Sequence, residues 1–345
     1  MCVLELNPKG KKSMNTYNLR KALCAVSGIV LITASLFSFS GCQNSNDTPN
    51  ATPDQASATS GTASTDDEVN ALSYLDSIGI NAAELGIEPD IIRDDNRIGF
   101  QLDNPKDGET IAVMHTSLGD ITIRFFPNQA PKTVTNFINL AKDGKYNNTL
   151  FSKVTKDFMI NGGYCGTSSY GSAFEDEFCD KLFNIRGAVA MSNTGYDSNE
   201  SAFFINQKSS DAYKAEGGWQ HLADQWETIK TQFLNYKNTN LLSAFIEKNG
   251  TNCYNTDIVP TEVKQLYDKN GGNAYLDGAY NAVDRGYTVF AQVIDGMDVV
   301  DKIADADVDD DDIPKENIVI ESVEITSYSG AVNTPTAETA LTAGE

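Results

Sequence analysis

Apolar and polar positions alternate in ETIAVMHT and again in DITIRFFP, with Ser117-Leu118-Gly119-Asp120 between them. A period of two predicts paired strands, and Gly119 can supply the positive φ of a tight hairpin turn. The period then changes. In APKTVTNFINLAKDGKY, Val134, Phe137, Ile138 and Ala141 recur at helical spacing, Pro131 stands in the first turn, and Gly144 is placed to end the helix. Short alternating or apolar runs follow in LFSKVTKDFMI, GAVAMSN, SAFFINQ and YTVFAQVI, separated by Gly, Asn and Asp clusters. GMDVVDKIA, with Met297, Val300 and Ile303 on one face, predicts a second helix, and NIVIESVEIT a closing strand. Many short strands with a helix at either end predict a mainly β fold, a closed antiparallel barrel.

Two further patterns are helical. HLADQWETIKTQFLNYK carries Leu222, Trp226, Ile229 and Phe233 at spacings of four, three and four, and PTEVKQLYDKNGG carries Val263, Leu266 and Tyr267 before a stop at Gly271. Ahead of the first strand, VNALSYLDSIGI places Leu72, Leu75 and Ile78 three apart, which predicts a short helix or docking segment.

The two ends of the chain are different material. Lys9, Lys11, Lys12, Arg20 and Lys21 precede the apolar run Ala25 to Phe39, which closes on Ser40-Gly41-Cys42. A basic region, an apolar region and small residues before a cut make a secretory signal, too short to read as a stable transmembrane span. Cysteine directly after Ser-Gly resembles the lipobox of bacterial lipoproteins, although Phe39 departs from the aliphatic residue usual three positions earlier. That resemblance implies that Cys42 is lipidated, with acyl chains such as palmitate, and becomes the mature N-terminus. The competing reading is a plain signal peptide with Cys42 incidental. Gln43 to Asp67 and Tyr328 to Glu345 are Ser, Thr, Asn, Asp, Ala, Pro and Gly with hardly a large apolar residue, a composition that cannot offset chain entropy.

Net charge adds an exclusion. The chain carries a formal −22, and loss of residues 1–41, with five Lys/Arg and one Glu, makes it more negative still. No basic block remains to hold phosphate backbones, so nucleic acid is not an expected partner, and an anionic leaflet would repel the folded part. Any membrane attachment falls to the lipid.

The order of MHTSLGDITIRFFPNQAPKTVTNFINLAKDGKYNNTLFSKVTKDFMINGG, RGAVAMSN, SNESAFFI and YTVFAQVIDGMDVVDKI resembles the cyclophilins over roughly Ile111 to Thr326. That resemblance implies an eight-stranded antiparallel barrel capped by two helices, with an inserted helical subdomain of two or three helices at 208–274, far longer than the family's usual connection. It implies peptidyl-prolyl cis-trans isomerase activity without a cofactor or metal. The chain then divides into a signal segment at 1–41, a tether at 42–68, a preceding segment at 69–110, the barrel domain at 111–327 and a tail at 328–345.

The resemblance also carries a site. Phe158, Met159, Phe204 and Leu276 match the family's proline pocket, and Ser192 and Asn193 match the segment whose backbone pairs with substrate. Taken singly, each apolar residue is as well explained by barrel core, and the two polar ones by strand-end chemistry. Departures from the family pattern surround this pocket. Lys153 stands in place of the arginine that reaches the prolyl nitrogen, and it keeps the charge but loses the planar fork of donors. Asn161 replaces glutamine, Ala202 replaces glutamine, Tyr275 takes the place of a tryptophan or other large apolar residue, and Tyr287 that of a histidine. Catalytic roles are expected of Lys153, Phe158 and Asn161, and substrate contacts of Met159, Ser192, Asn193, Phe204, Tyr275, Leu276 and Tyr287.

The expected protein is a lipid-anchored isomerase on the extracytoplasmic face of the cell membrane, acting on proline-containing exported polypeptides. The alternative is a catalytically weak barrel that binds proline segments as a chaperone or scaffold, with Lys153 an ordinary surface lysine. Cys165 and Cys179 are spaced to close a short loop, but with Cys253 the count is odd and no pairing follows. DADVDDDD, Asp305 to Asp312, lacks the glycine and terminal glutamate of an EF-hand and reads as a solvated acidic loop.

Overall fold

A computed structural model describes residues 73–87 and 90–330. The signal segment, Cys42, the tether, residues 69–72 and positions 331–345 lie outside the described residues. Eight strands, β1 (Thr110–Thr116), β2 (Gly119–Phe125), β3 (Thr149–Thr155), β4 (Met159–Gly162), β5 (Ala188–Met191), β6 (Phe203–Asn206), β7 (Val289–Asp295) and β8 (Val319–Ser327), close a barrel in the order β1-β2-β7-β5-β6-β4-β3-β8. Every pairing is antiparallel.

The first hairpin is tighter than the alternation predicts. Thr116 pairs directly with Gly119, so the turn is Ser117-Leu118 alone and Gly119, at φ 134°, already opens β2. The Thr116 hydroxyl holds this turn by donating to the Gly119 carbonyl at 2.6 Å and accepting from the Leu118 amide at 3.1 Å.

Among the described residues, seven α-helices accompany the barrel: α1 (Ser73–Ser77), α2 (Pro131–Lys142), α3 (Ser210–Ala215), α4 (Gly218–Tyr236), α5 (Leu242–Asn249), α6 (Thr261–Asn270) and α7 (Met297–Ala304). The barrel interior and the apolar faces of α2 and α7 form one cluster, with Phe137 and Leu140 from α2 and Val300 and Ile303 from α7. Pro131 stands at the start of α2, where its missing N–H costs nothing. A carboxylate remote in sequence completes that end, since Glu177 accepts from the backbone amides of Lys132 at 3.0 Å and Thr133 at 2.8 Å.

The insertion holds four helices, α3 to α6, where the sequence pattern predicts two or three. α3 and α5 span six and eight residues, shorter than the window over which a helical period is counted along a sequence. α4 buries Trp226, Ile229 and Phe233 against Phe245 and Ile246 of α5, and Leu75 of α1 docks into the same cluster. The segment ahead of the barrel therefore packs on the insertion. α3 and α6 instead send Tyr213, Val263 and Tyr267 into a separate cluster on the outside of the barrel.

The sequence leaves the cysteine pairing open and predicts a solvated acidic loop. Cys165, Cys179 and Cys253 are all free thiols. Cys165 packs against the barrel-interior cluster while Cys179 belongs to the outer one, so the short loop between them spans two packing environments. The acidic segment is solvated only in part. Asp309, Asp310 and Asp311 are exposed, but Asp312 folds back on β3, where it accepts from the Thr155 hydroxyl at 3.0 Å.

Candidate active site

Alternation in β6 separates the barrel core from the site. Phe203 and Ile205 point into the barrel, and Phe204 points out of it. Pairing places Lys153 of β3 opposite Asn161 of β4, Asn161 opposite Phe204 of β6, and Phe204 opposite Ala190 of β5. One row across four strands therefore presents an ammonium, an amide and an aromatic ring on the outer face. Met159, two residues before Asn161 and paired with Thr155 and Asn206, lies on the same face.

Phe158 precedes β4 in a turn whose Asp157 adopts φ 56°. Tyr275 and Leu276 come from a single 3-10 turn, Ala274–Leu276, just after the insertion. The rings of Phe158 and Tyr275 lie parallel with centroids 6.5 Å apart, and Tyr287 meets Phe204 edge-on at 5.4 Å. Phe204 and Leu276 are buried, while Phe158, Met159, Tyr275 and Tyr287 are half-buried around them. These six belong to one apolar cluster distinct from the barrel interior, so barrel core does not account for them.

The polar residues are already engaged. Asn161 Nδ2 donates to Ser192 Oγ at 2.8 Å, and Lys153 Nζ lies 3.7 Å from Asp312 Oδ2. The Ser192 backbone amide donates to the Ala202 carbonyl at 2.9 Å, next to the half-buried Ala202 side chain. Asn193 turns away from Asn161, donating to Asp176 Oδ1 at 3.2 Å. Burial pushes the Asp176 carboxyl up to about 6 against the pull of its bond from Asn199. Burial likewise pushes the Asp284 carboxyl up to about 6.

Sequence reasoning passes over a buried polar chain beneath this cluster. Asp277, directly after Leu276, accepts from the Tyr267 hydroxyl at 2.6 Å and from the Asn184 amide at 2.8 Å. Asn184 in turn accepts from Asn206 at 3.1 Å, and Asn206 from Asn273 at 2.8 Å. Scattered asparagines read as turn residues in one dimension, and no local spacing marks them as a network. Among the described residues, no group of three or more His, Cys, Asp or Glu side chains is placed to hold a metal ion.

The profile of the cyclophilin type peptidyl-prolyl cis-trans isomerase family matches residues 111–239 and 271–325, which hold all but the outermost residues of β1 and β8 and include this outer face. The chain belongs to the cyclophilins. A Staphylococcus aureus protein (strain USA300) named for peptidyl-prolyl cis-trans isomerase activity is 35% identical over 229 residues, 63% of this chain and 92% of its own length. A Streptococcus pyogenes protein named for phosphatase and peptidyl-prolyl cis-trans isomerase activities is 35% identical over 225 residues, and this cyclophilin spans only 38% of its length. A crystallised cyclophilin of Cryptosporidium parvum aligns with 64% of this chain and 99% of its own, at 21% identity and a TM-score of 0.40. The family match skips residues 240–270, which lie within the insertion.

Proposed function

We propose that this cyclophilin isomerises X-Pro bonds of exported polypeptides at the outer face of the cell membrane, with the row Lys153–Asn161–Phe204 as its working surface. Rotation about a peptide bond must break its partial double bond, a barrier of roughly 18–20 kcal/mol. No covalent step is needed. Phe158, Met159, Phe204 and Leu276 clamp the proline ring, Asn161 and the Ser192–Asn193 backbone hold the chain beside it, and Tyr275 and Tyr287 wall the rim. The Lys153 ammonium stabilises the twisted bond, in which the prolyl nitrogen becomes a pyramidal acceptor. One observation carries this reading: cation, amide and apolar cup stand on adjacent strands of one outer face.

A second reading has its own support. Lys153 is drawn to Asp312 and Asn161 to Ser192, so the donors that act on the twisted bond are partly occupied. A barrel that grips proline and turns it slowly would serve as a chaperone. Exchange NMR on a short Ala-Pro peptide separates the two. Cis/trans exchange cross-peaks at catalytic protein concentration are expected, and line broadening on binding without exchange would leave only the second reading.

The location rests on the Ser40-Gly41-Cys42 ending and the polar tether after it. Two or more acyl chains give stable anchoring where one does not. Palmitate labelling of the wild type, lost in Cys42→Ala together with membrane fractionation, is the expected result. A Cys42→Ala protein that still fractionates with membranes would remove the lipid anchor from the proposal.

A further inference from the structure

The apolar cup is assembled from two chain segments that meet only in space: the turn carrying Phe158 and the 3-10 turn carrying Tyr275 and Leu276. Apolar packing is non-directional and does not by itself set their separation. Directional bonds do, and several of them come from the insertion and its stems.

The Phe158 carbonyl accepts three donors. Two are the backbone amides of Gln207 at 2.9 Å and Lys208 at 3.3 Å, where the chain enters the insertion. The third is Asn273 Nδ2 at 3.1 Å, where the chain leaves it. Both stems of the insertion thus converge on one carbonyl oxygen. Gln207 also accepts from the Asp157 amide at 2.8 Å, which fixes the left-handed residue of the same turn. Lys208 Nζ, in a buried side chain paired with Glu216, lies 5.9 Å from the centroid of the Phe158 ring.

The other wall of the cup is tied from the same subdomain. Tyr267 of α6 donates to Asp277, one residue after Leu276, and the chain Asp277–Asn184–Asn206–Asn273 runs back to Phe158. Tyr267, Asn273, Asp277, Asn184 and Asn206 are all buried. A buried network of this kind is costly when partly satisfied, so its members act together.

We propose that Tyr267 and Asn273, both contributed by the insertion, are positioning residues of the isomerase site, holding Phe158 and the Tyr275–Leu276 segment in register through one buried hydrogen-bond chain. The inference rests on the reading of Phe158 and Leu276 as the proline cup. It assigns the insertion a part in substrate affinity.

The chain also leaves a signature in pH. Burial pushes the Asp277 carboxyl up to about 7, opposed by its bonds from Tyr267 and Asn184. The titratable groups that face it are Tyr213, Tyr254, Tyr267 and Tyr280, and burial raises all four phenols, so none is charged near neutrality. Removing the Tyr267 hydroxyl takes a donor from the ionised form and moves Asp277 higher again.

The test is kcat/KM on a short Xaa-Pro peptide, from about pH 5.5 to 8.5, for the full chain and for Phe158→Ala, Tyr267→Phe, Asn273→Ala and Trp226→Phe. Tyr267→Phe and Asn273→Ala are expected to lose roughly tenfold in kcat/KM, carried by KM. Tyr267→Phe is also expected to move the acid limb upward by about one pH unit. Trp226→Phe, in the outer helical cluster, is expected to lower Tm with KM unchanged. If Phe158→Ala keeps wild-type kcat/KM, the proline-cup reading falls and this inference with it. If Phe158→Ala is impaired while Tyr267→Phe and Asn273→Ala keep the wild-type KM and pH profile, the inference alone is overturned. Asn273→Ala leaves the donors to Asp277 in place, and its KM decides the matter should Tyr267→Phe fail to fold.

Discussion

Lys153 Nζ stands 3.7 Å from Asp312 Oδ2, so the cation beside the outer apolar cluster shares its field with a carboxylate from the acidic loop. Both side chains are more than a third exposed, and solvent keeps such a pair weak. Freeing the ammonium is expected to help the twisted bond more than it costs the fold. Asp312→Asn should raise kcat/KM by up to about fivefold, the equivalent of ~1 kcal/mol. Lys153→Arg should raise it too, by restoring a fork of donors, and Lys153→Ala should lower it. Steady-state rates on one peptide at low salt check all three, and an Asp312→Asn rate at or below wild type would remove Lys153 from the mechanism.

Gly163 follows β4 at φ 73°, and a Cβ there would sit 2.3 Å from Phe203 Cε1, inside the barrel core. Gly163→Ala is expected to cost more than about 2 kcal/mol, from backbone strain and overpacking together. Gly166, at φ 103° with nothing within 4 Å of the same added atom, isolates the backbone part. Urea midpoints should fall clearly further for Gly163→Ala than for Gly166→Ala, with m unchanged in both.

Asp176, Asp277 and Asp284 are pushed by burial to about 6, about 7 and about 6. In the unfolded chain each returns to about 3.9. Between these limits the native state binds more protons, so stability falls as pH rises through the folded values. The Tm is therefore expected to be higher at about pH 5 than at pH 8, by on the order of 5 °C. Asp277→Asn should flatten part of that slope. A Tm that rises from pH 5 to pH 8 would contradict the burial of these carboxyls.

Cys165, Cys179 and Cys253 are all free, so no cross-link joins two of the described residues. Adding a thiol reductant is expected to leave Tm unchanged. Loss of several degrees on reduction would mean that two of these thiols pair in solution, since a native disulfide typically contributes 2–5 kcal/mol.

Much of the site was legible because it sits in short motifs. Phe158, Met159 and Asn161 fall within four residues, and the alternation in SAFFI already says that Phe203 and Phe204 face opposite ways. A period of two gives no absolute sign, so the choice of Phe204 as the outward residue came from the family resemblance and not from the alternation. The rest of the site was hidden for another reason. Tyr267 is ten residues from Asp277, and Asn273 is more than a hundred from Phe158, so their bonds leave no periodic trace. No partner for Lys153 was legible in the sequence, and only the return of the acidic loop to β3 supplied one in Asp312.

The identity of most strands, of α2 and α7, and the amphipathic faces of α4 and α6 were settled within the chain's local order. Those features depend on side-chain period, which one dimension preserves. Tertiary structure alone decided that α1 docks on the insertion, that the acidic loop folds onto Lys153, and that both stems of the insertion meet at the Phe158 carbonyl. Each of these satisfies a buried or charged group with a partner remote in sequence, and such partners become neighbours only when the barrel closes.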